Sequence, residues 1–203
     1  MQWLDELLNP LNARMQRDMA EMREDLAKWK EMLIPLHLQE ELELLSSQYL
    51  PLGGKSKKKR APESGLFATI YQEPAIAWSY RLYPDKARQA MLVARTAQQE
   101  YLYKFREQEV EIVIGPYRVG SLTAARQLIS SRKRELLAQY GKGNTSHMPI
   151  LVYGREVASL VLPSETPVPM PRAFAYLMEM NENERELLMS LTILEMVRWR
   201  VGR

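Results

Sequence analysis

The 203-residue sequence predicts an α+β protein. In the expected architecture an N-terminal helical arm precedes an antiparallel, barrel-like β-rich domain that is closed by a buried C-terminal helix. Three observations support this fold class. Apolar residues recur at helical spacing through residues 1–50, and short runs with strand periodicity follow from residue 66. Near the C-terminus, residues 187–197 are apolar nearly all round a helix, which is typical of a helix buried on every side.

Charge and composition divide the chain into three regions. Residues 1–50 carry five Lys or Arg against ten Asp or Glu, whereas residues 51–62 carry five basic residues and no acid. The pI near 9.0 therefore reflects one short cluster and not a basic nucleic-acid-binding face. We expect an amphipathic helical arm at 1–50, a basic flexible linker at 51–65, and the β-rich domain with its core helix at 66–203.

The arm contains an apolar seam in which residues recur at alternating steps of three and four, as in a coiled coil with a small phase slip. Methionine and leucine dominate this seam and β-branched residues are absent, a composition typical of adaptable contacts. Pro35 ends or kinks the helix, and residues 36–48 predict a second, acidic helix. Three interpretations stay open: packing on the chain's own domain, self-association as a coiled coil, or docking to another protein. The seam residues are Leu8, Leu11, Met15, Met19, Met22, Leu26, Trp29 and Leu33.

The linker holds a candidate anion-binding cluster. Its glycine, proline and lysine content is typical of a solvated linker, which is the plainest interpretation. The same cations would attract an anionic membrane surface or nucleic-acid phosphates. No aromatic residue is interleaved with them, so base stacking is not indicated and nucleic acid is the weaker alternative. The cluster consists of Lys55, Lys57, Lys58, Lys59 and Arg60.

Strand-like runs at 66–72, 75–83, 90–96, 100–105 and 110–114 are separated by proline, glycine and glutamine residues. A short strand at 118–122, a hairpin of 150–153 with 156–162 turning at Gly154-Arg155, and a strand at 172–180 complete the set. Such close spacing indicates an antiparallel meander or barrel and not alternating βαβ units.

One segment of the β-rich domain has two interpretations. Thr123 as N-cap, apolar residues up to Tyr140, and Gly141 after them fit a helix over 123–140. The same stretch also fits a hairpin of 126–131 with 135–140. Local signals favour the helix, although short apolar runs do not distinguish the two.

The terminal helix has a clear start. Asn181 followed by Glu184, or Asn183 followed by Glu186, provides an N-cap with a carboxylate at the third helical position. The apolar run is too short for a membrane span, which needs about 20 residues. A central core helix is the preferred interpretation, and a partner-docking or membrane-dipping helix is the alternative.

No motif in the sequence indicates catalysis or cofactor binding. The two histidines, His37 and His147, are far apart, and neither accompanies a nucleophile motif. The absence of cysteine excludes disulfides, zinc–thiolate sites and a cysteine nucleophile. Residues 141–145 lack the spacing of a phosphate-binding loop. We therefore expect no enzyme activity, no cofactor, no metal site and no small-molecule substrate.

A family resemblance is carried by five stretches, residues 92–96, 100–101, 120–122, 154–160 and 187–197. Short strands followed by a nearly wholly apolar C-terminal helix resemble the barrel of phospholipid scramblases and tubby-like proteins. The resemblance covers residues 66–200 and implies a closed antiparallel barrel around a central hydrophobic helix. It does not imply calcium binding or lipid scrambling. Residues 163–180, which precede the terminal helix where scramblases have an acidic calcium-binding segment, contain only two acidic residues, Glu165 and Glu179, and the cysteine-rich lipidation stretch is absent.

Together these features predict a non-enzymatic interaction or scaffold protein that acts through its helical arm and its β-rich domain. A protein partner, or self-association, is expected through residues 1–50. The alternatives are a peripheral module that binds anionic lipid through the lysine cluster and a nucleic-acid-associated protein. No secretory signal or span of membrane length occurs, so the expected location is cytoplasmic, with peripheral membrane contact left open.

Overall fold

The computed structural model describes residues 10–51, 62–83, 89–163 and 171–202. Within them, twelve antiparallel strands form one sheet whose spatial order equals the chain order. Three α-helices accompany the sheet: α1 (Pro10–Ala27), α2 (Gln39–Glu43) and α3 (Glu182–Val201). The strands are β1 (Leu45–Pro51), β2 (Glu63–Thr69), β3 (Pro74–Tyr83), β4 (Gln89–Arg95), β5 (Glu100–Arg106), β6 (Glu109–Ile114), β7 (Tyr117–Leu122), β8 (Gln127–Ser130), β9 (Leu136–Tyr140), β10 (His147–Val152), β11 (Arg155–Val161) and β12 (Phe174–Leu177).

The first and last strands meet, so the sheet curls into a nearly closed barrel. Ser46 on β1 forms an antiparallel bridge with Arg172, just before β12. The Ala173 amide donates to the Leu45 carbonyl at 2.7 Å, and the Ser47 amide donates to the Pro171 carbonyl at 3.1 Å. These bonds satisfy backbone groups that an edge strand would leave unpaired. The predicted fold class, a barrel-like β-rich domain with an N-terminal helix and a C-terminal helix, is confirmed.

Helix α3 fills the interior of the barrel. Every residue from Leu187 to Val197 is buried, as the apolar run predicts. The expected N-cap is present: the Asn181 carboxamide accepts from the Glu184 amide at 3.0 Å, and the Glu184 carboxylate accepts from the Asn181 amide at 3.0 Å. Gly202 ends the helix with a φ of 71°, in the left-handed region that glycine enters without steric cost.

An antiparallel meander places alternate turns at opposite ends of the barrel. The turns β2–β3, β4–β5, β6–β7, β8–β9 and β10–β11 lie at the end where α3 begins, because Gln99 in the β4–β5 turn bonds Glu186 in the first turns of α3. The other turns lie where α3 ends, since Arg126 in the β7–β8 turn pairs with Glu195. The two ends therefore present different sets of loops.

A second apolar cluster lies outside the barrel wall, between α1 and strands β2 to β5. Met22 and Leu26 of α1 are buried there against residues such as Met91 and Val93 of β4. Strands β3 and β4 are consequently buried on both faces, which explains why their sequences are continuously apolar instead of alternating. Ion pairs of Arg81 with Asp18, and of Arg23 with Glu100 across 2.8 Å, flank this contact.

The favoured helix prediction for residues 123–140 is wrong. Residues 127–140 form the hairpin β8–β9, which agrees with the alternative interpretation of this stretch, and Leu128, Ala138 and Tyr140 point inward. Arg126 and Arg134 adopt left-handed φ values of 61° and 58°, which are incompatible with a continuous helix. Long-range strand pairing overrides local helix propensity here.

The second arm helix is much shorter than expected. Only Gln39–Glu43 is helical, and Leu45–Pro51 is strand β1. Leu45 is fully buried and pairs with Thr69 of β2, so the barrel wall takes these residues into the sheet. The sheet therefore begins at residue 45, upstream of the stretch predicted as linker, and β2 begins at Glu63 within that stretch. Across the described residues, no helix combines the length and apolar character needed to cross a membrane.

Candidate functional site

Exposed apolar side chains gather at the end of the barrel where α3 begins. The described residues expose nine large hydrophobic side chains, and seven of them lie at this end, on its turns or in the segments that adjoin it. We call this surface the tyrosine end. Its members are Met32, Leu38, Tyr71, Tyr117, Leu136, Tyr153 and Met178.

Short turns position two of the three tyrosines at this end. Tyr71 lies in the β2–β3 turn, where its amide and that of Glu73 donate to the Thr69 hydroxyl at 3.2 and 3.3 Å. Tyr117 follows the two-residue turn Gly115-Pro116, in which Gly115 has a φ of 54°. Fixed backbones present the rings without the entropic cost of ordering a long loop.

Tyr153 has an unfavourable backbone. It occupies the β10–β11 turn with Gly154, at φ values of 49° and 78°. Two positive φ values define a type I′ hairpin turn, whose first position favours Asn, Asp or Gly. A bulky residue in the left-handed region costs about 1–2 kcal/mol. The side chain is nevertheless 56% exposed and gains little burial in return. The expected turn at Gly154-Arg155 is thus shifted by one residue.

A small cavity opens at the tyrosine end between the β4–β5 turn, residues 36–37 and the first turns of α3. Its volume is about 70 Å³. The side-chain carboxamide of Gln99 donates a 2.7 Å hydrogen bond to the Glu186 carboxylate, and the side-chain nitrogen of Gln98 lies 3.0 Å from His37 Nε2. The lining residues are Leu36, His37, Thr96, Gln98, Gln99, Tyr101, Glu182, Arg185, Glu186 and Met189.

Tyr101 is the most deeply placed polar group of this cavity, with only 2% of its surface exposed. Burial, and secondarily the charge of Glu186, raises the pKa of the Tyr101 hydroxyl well above its usual range. The phenol is therefore neutral at physiological pH. Among the described residues, its hydroxyl has no hydrogen-bond partner, whereas Tyr103 and Tyr140 both bond to α3.

An ion pair connects the tyrosine end to the start of α3. Arg155, next to the Tyr153 turn, donates to Glu184 at 2.8 Å and to the Glu179 carbonyl at 3.2 Å. The Arg155 guanidinium, followed by the Asn181 amide, lowers the pKa of the Glu184 carboxyl. The contact connects the β10–β11 turn to the first turn of α3, whose Glu182, Arg185 and Glu186 line the cavity.

The predicted seam lies against the chain's own barrel wherever its side chains are described. Met22, Leu26 and Leu33 are buried in the outer cluster, and Met15, Met19 and Trp29 are partly buried against it. Leu8 and the side chain of Leu11 lie outside the described residues. The seam is remote from most of the tyrosine end, because α1 runs along the outer wall. A partner or a second copy at the arm stays a prediction.

The predicted anion-binding cluster also stays a prediction. Lys55, Lys57, Lys58, Lys59 and Arg60 lie outside the described residues. The strand ends that flank this segment, Pro51 of β1 and Glu63 of β2, lie at the end opposite the tyrosine end.

The two histidines do not form a joint site. His37 lines the cavity at the tyrosine end, whereas His147 lines a separate, shallow cleft of about 410 Å³ beside β10 and β12. Among the described residues, no three His, Cys, Asp or Glu side chains are grouped so that they could hold a metal ion.

Sequence reasoning missed the tyrosine end entirely. The available signal was a tyrosine inside or beside a turn at each of residues 71, 117 and 153, where exposed apolar side chains are unfavourable. That these turns share one end follows only from the winding of the barrel. Comparison of the chain with protein-family models, with curated proteins and with solved structures finds no match.

Proposed function

We propose that this protein is a non-enzymatic interaction or scaffold protein whose tyrosine end binds a protein partner. The observation that carries the proposal is the gathering of seven of the nine exposed large hydrophobic side chains at one end. Tyrosine is enriched at protein interfaces because its ring offers large apolar contact area and its hydroxyl a hydrogen bond. Its two side-chain torsions also cost little entropy on binding.

Two further features support this surface over the rest of the barrel. The interior is occupied by α3, and the outer wall of β2 to β5 is covered by α1, so both are already in contact with the chain itself. Tyr153 also keeps an unfavourable backbone conformation while its ring is exposed. Such strain persists where function requires it.

Photo-crosslinking in cells of the native host tests the proposal. The photoreactive amino acid p-benzoylphenylalanine replaces Tyr71 or Tyr117 at the tyrosine end. Matched control positions at the opposite end are Gln108 and Lys142. We expect a discrete adduct of one defined mass from the first pair and none from the second. Excess unlabelled protein should suppress the adduct, and excess protein carrying Tyr71→Ser and Tyr117→Ser should not. Adducts of equal yield from both ends, or none from the tyrosine end, would contradict the proposal.

A second candidate function is peripheral binding to anionic lipid through Lys55, Lys57, Lys58, Lys59 and Arg60. The supporting observation is that the flanking strand ends lie at the end of the barrel where α3 terminates with Arg198 and Arg200. Added to a basic segment, these guanidinium groups would strengthen attraction to a negatively charged surface. Each lysine near such a surface contributes about 1 kcal/mol.

Vesicle sedimentation tests this second candidate. The triple variant K57A/K58A/K59A should lose binding to phosphatidylserine vesicles at low salt while its thermal stability is unchanged, since solvated charges contribute little to folding. A charge-matched control, K28A/K30A/K133A, should retain binding. Unaltered binding of the first variant would eliminate the lysines, and tighter binding to duplex DNA than to vesicles would favour a nucleic-acid role.

The scramblase and tubby-like resemblance is likewise a proposal. Its support is the order of elements, a nearly closed antiparallel barrel followed by a helix inside it.

A further inference from the structure

We propose that the cavity at the tyrosine end receives a cationic side chain, lysine or arginine, from the protein partner. The inference rests on the proposed function and adds the chemistry by which that partner is recognised. It stands on three independent features of the cavity: its charge, an unpartnered hydroxyl at its wall, and its apolar walls.

The cavity carries a net negative charge. Glu182, Glu186 and Arg185 line it, and among the described residues none of the three forms an ion pair. Gln99 occupies one carboxylate oxygen of Glu186, which leaves the other oxygen able to accept. Arg185 makes only a long, 3.5 Å contact with the Met180 carbonyl. An anionic ligand would face two carboxylates, whereas a cation would find two acceptors against one competing guanidinium.

The hydroxyl of Tyr101 is the second feature. The Tyr101 residue is almost wholly buried, but its hydroxyl is not among the fully enclosed unpartnered atoms and opens onto the cavity, where it has no hydrogen-bond partner among the described residues. A hydroxyl that opens onto a cavity without a protein partner is available to a group that enters the cavity in place of water. A neutral phenol oxygen accepts from ammonium or guanidinium N–H groups, which are donors only.

The size and walls of the cavity fit such a side chain. A volume of about 70 Å³ accommodates a charged head group, since about 10–15 Å³ of the same kind of volume already holds one water. Leu36 and Met189 provide apolar wall, against which the methylene stem of lysine or arginine packs while its head reaches the acceptors. Tyr71, Tyr117 and Tyr153 would then contact the surrounding partner surface.

Titration with a small cation tests the inference on the full-length protein. Methylguanidinium chloride is added while amide chemical shifts of residues 96–101 and 182–189 are followed by NMR. N-methylurea is the neutral control of similar shape. We expect saturable shifts with methylguanidinium at millimolar concentration and none with N-methylurea. Equal shifts with both compounds would overturn the inference.

Variants locate the binding. Glu186→Gln should weaken methylguanidinium binding about tenfold, because a charge-assisted bond becomes neutral. Tyr101→Phe should weaken it about threefold, since one neutral acceptor is lost. The matched control Glu179→Gln removes an exposed carboxylate that does not line the cavity and should leave binding unchanged. An unchanged affinity in Glu186→Gln would overturn the inference.

The crosslinking assay separates this inference from the proposed function. Loss of the Tyr117 adduct in the Glu186→Gln background supports both. An adduct of undiminished yield in the Glu186→Gln variant would contradict the binding of a cationic side chain in the cavity, but it would leave the proposed protein partner unaffected. Probe binding without any adduct from the tyrosine end would overturn the protein partner, and with it the source of the cation.

Discussion

The hydroxyl of Tyr103 on β5 donates a 2.8 Å hydrogen bond to the carbonyl oxygen of Ser190 in α3. Tyr140 of β9 donates a hydrogen bond of the same length to the next carbonyl, that of Leu191. Adjacent carbonyls point about 100° apart around a helix. Two bonds in different directions therefore fix both the rotation and the height of α3 in a largely apolar interior.

The contribution of the Tyr103–Ser190 hydrogen bond to stability can be measured by replacing Tyr103 with Phe. The free energy of unfolding should fall by about 1 kcal/mol, the usual net contribution of one hydrogen bond. Tyr101→Phe is the matched control, because Tyr101 is equally buried and its hydroxyl has no partner; its effect should stay below about 0.5 kcal/mol. Urea melts of both variants measure these changes. Equal losses of unfolding free energy would show that the Tyr103–Ser190 hydrogen bond does not stabilise the fold.

The terminal helix should be indispensable to the barrel. Leu194 is fully buried, so Leu194→Ala should cost about 2–5 kcal/mol and Leu194→Asp more, because an unpaired charge would be buried. Leu136→Ala, at the exposed start of β9, should change stability by less than about 0.5 kcal/mol. Truncation after Asn181 should give an aggregating protein. A truncated chain that is soluble and unfolds cooperatively would contradict the architecture.

Tyr153 should lower the stability of the fold while contributing to partner binding. Tyr153→Asn places a residue suited to the first position of a type I′ turn, so stability should rise by about 0.5–1 kcal/mol. The same change should reduce the Tyr117 crosslink. Tyr117→Asn serves as the control, because Tyr117 does not have a positive φ and should give no gain. A Tyr153→Asn variant with full crosslinking would remove Tyr153 from the interface.

Alkaline pH should destabilise the fold through its buried tyrosines. Burial raises the pKa of Tyr83, Tyr101, Tyr103 and Tyr140, so the folded state holds their protons more tightly than the unfolded state. Their contribution is complete below the unfolded pKa of about 10 and is lost as pH rises towards the raised folded values. Each such tyrosine removes about 1.4 kcal/mol per pH unit above 10.

Urea melts from pH 8 to about 11.5 check this, with tyrosinate absorbance as the second signal. Tyr103→Phe removes one of the four groups and should make the alkaline slope shallower, which separates tyrosine from lysine titration. Tyrosinate absorbance from all ten tyrosines before unfolding would refute the prediction.

The arm should act as part of the folded monomer. Met22 on α1 is fully buried against the sheet, so Met22→Ala should cost about 2–5 kcal/mol, whereas Met32→Ala at an exposed position should cost less than about 0.5 kcal/mol. The unfolding midpoint should not depend on protein concentration. A midpoint that rises with concentration would show that the seam is shared between chains.

Some features of this protein could be predicted from the sequence because neighbouring residues encode them. The burial of α3 follows from a run that is apolar on every face, and its start follows from the spacing of Asn181 and Glu184. The amphipathic seam of α1 and most strands likewise follow from local periods of 3.6 and 2. A periodic pattern can be recognised within a few turns of helix or a few strand residues, so predicting these elements does not require knowledge of distant contacts.

Tertiary structure alone decided the rest. Residues 123–140 have local helix signals, but their greater part forms β8 and β9. Leu45 to Pro51 likewise join the sheet, because pairing with distant strands outweighs local preference. The tyrosine end unites residues 71, 117 and 153, and its cavity brings Tyr101 beside Glu186. The proximity of these residues depends on how twelve strands wind around one helix. Free energies of contacts between residues far apart in the chain set that winding, and no local window of sequence contains them.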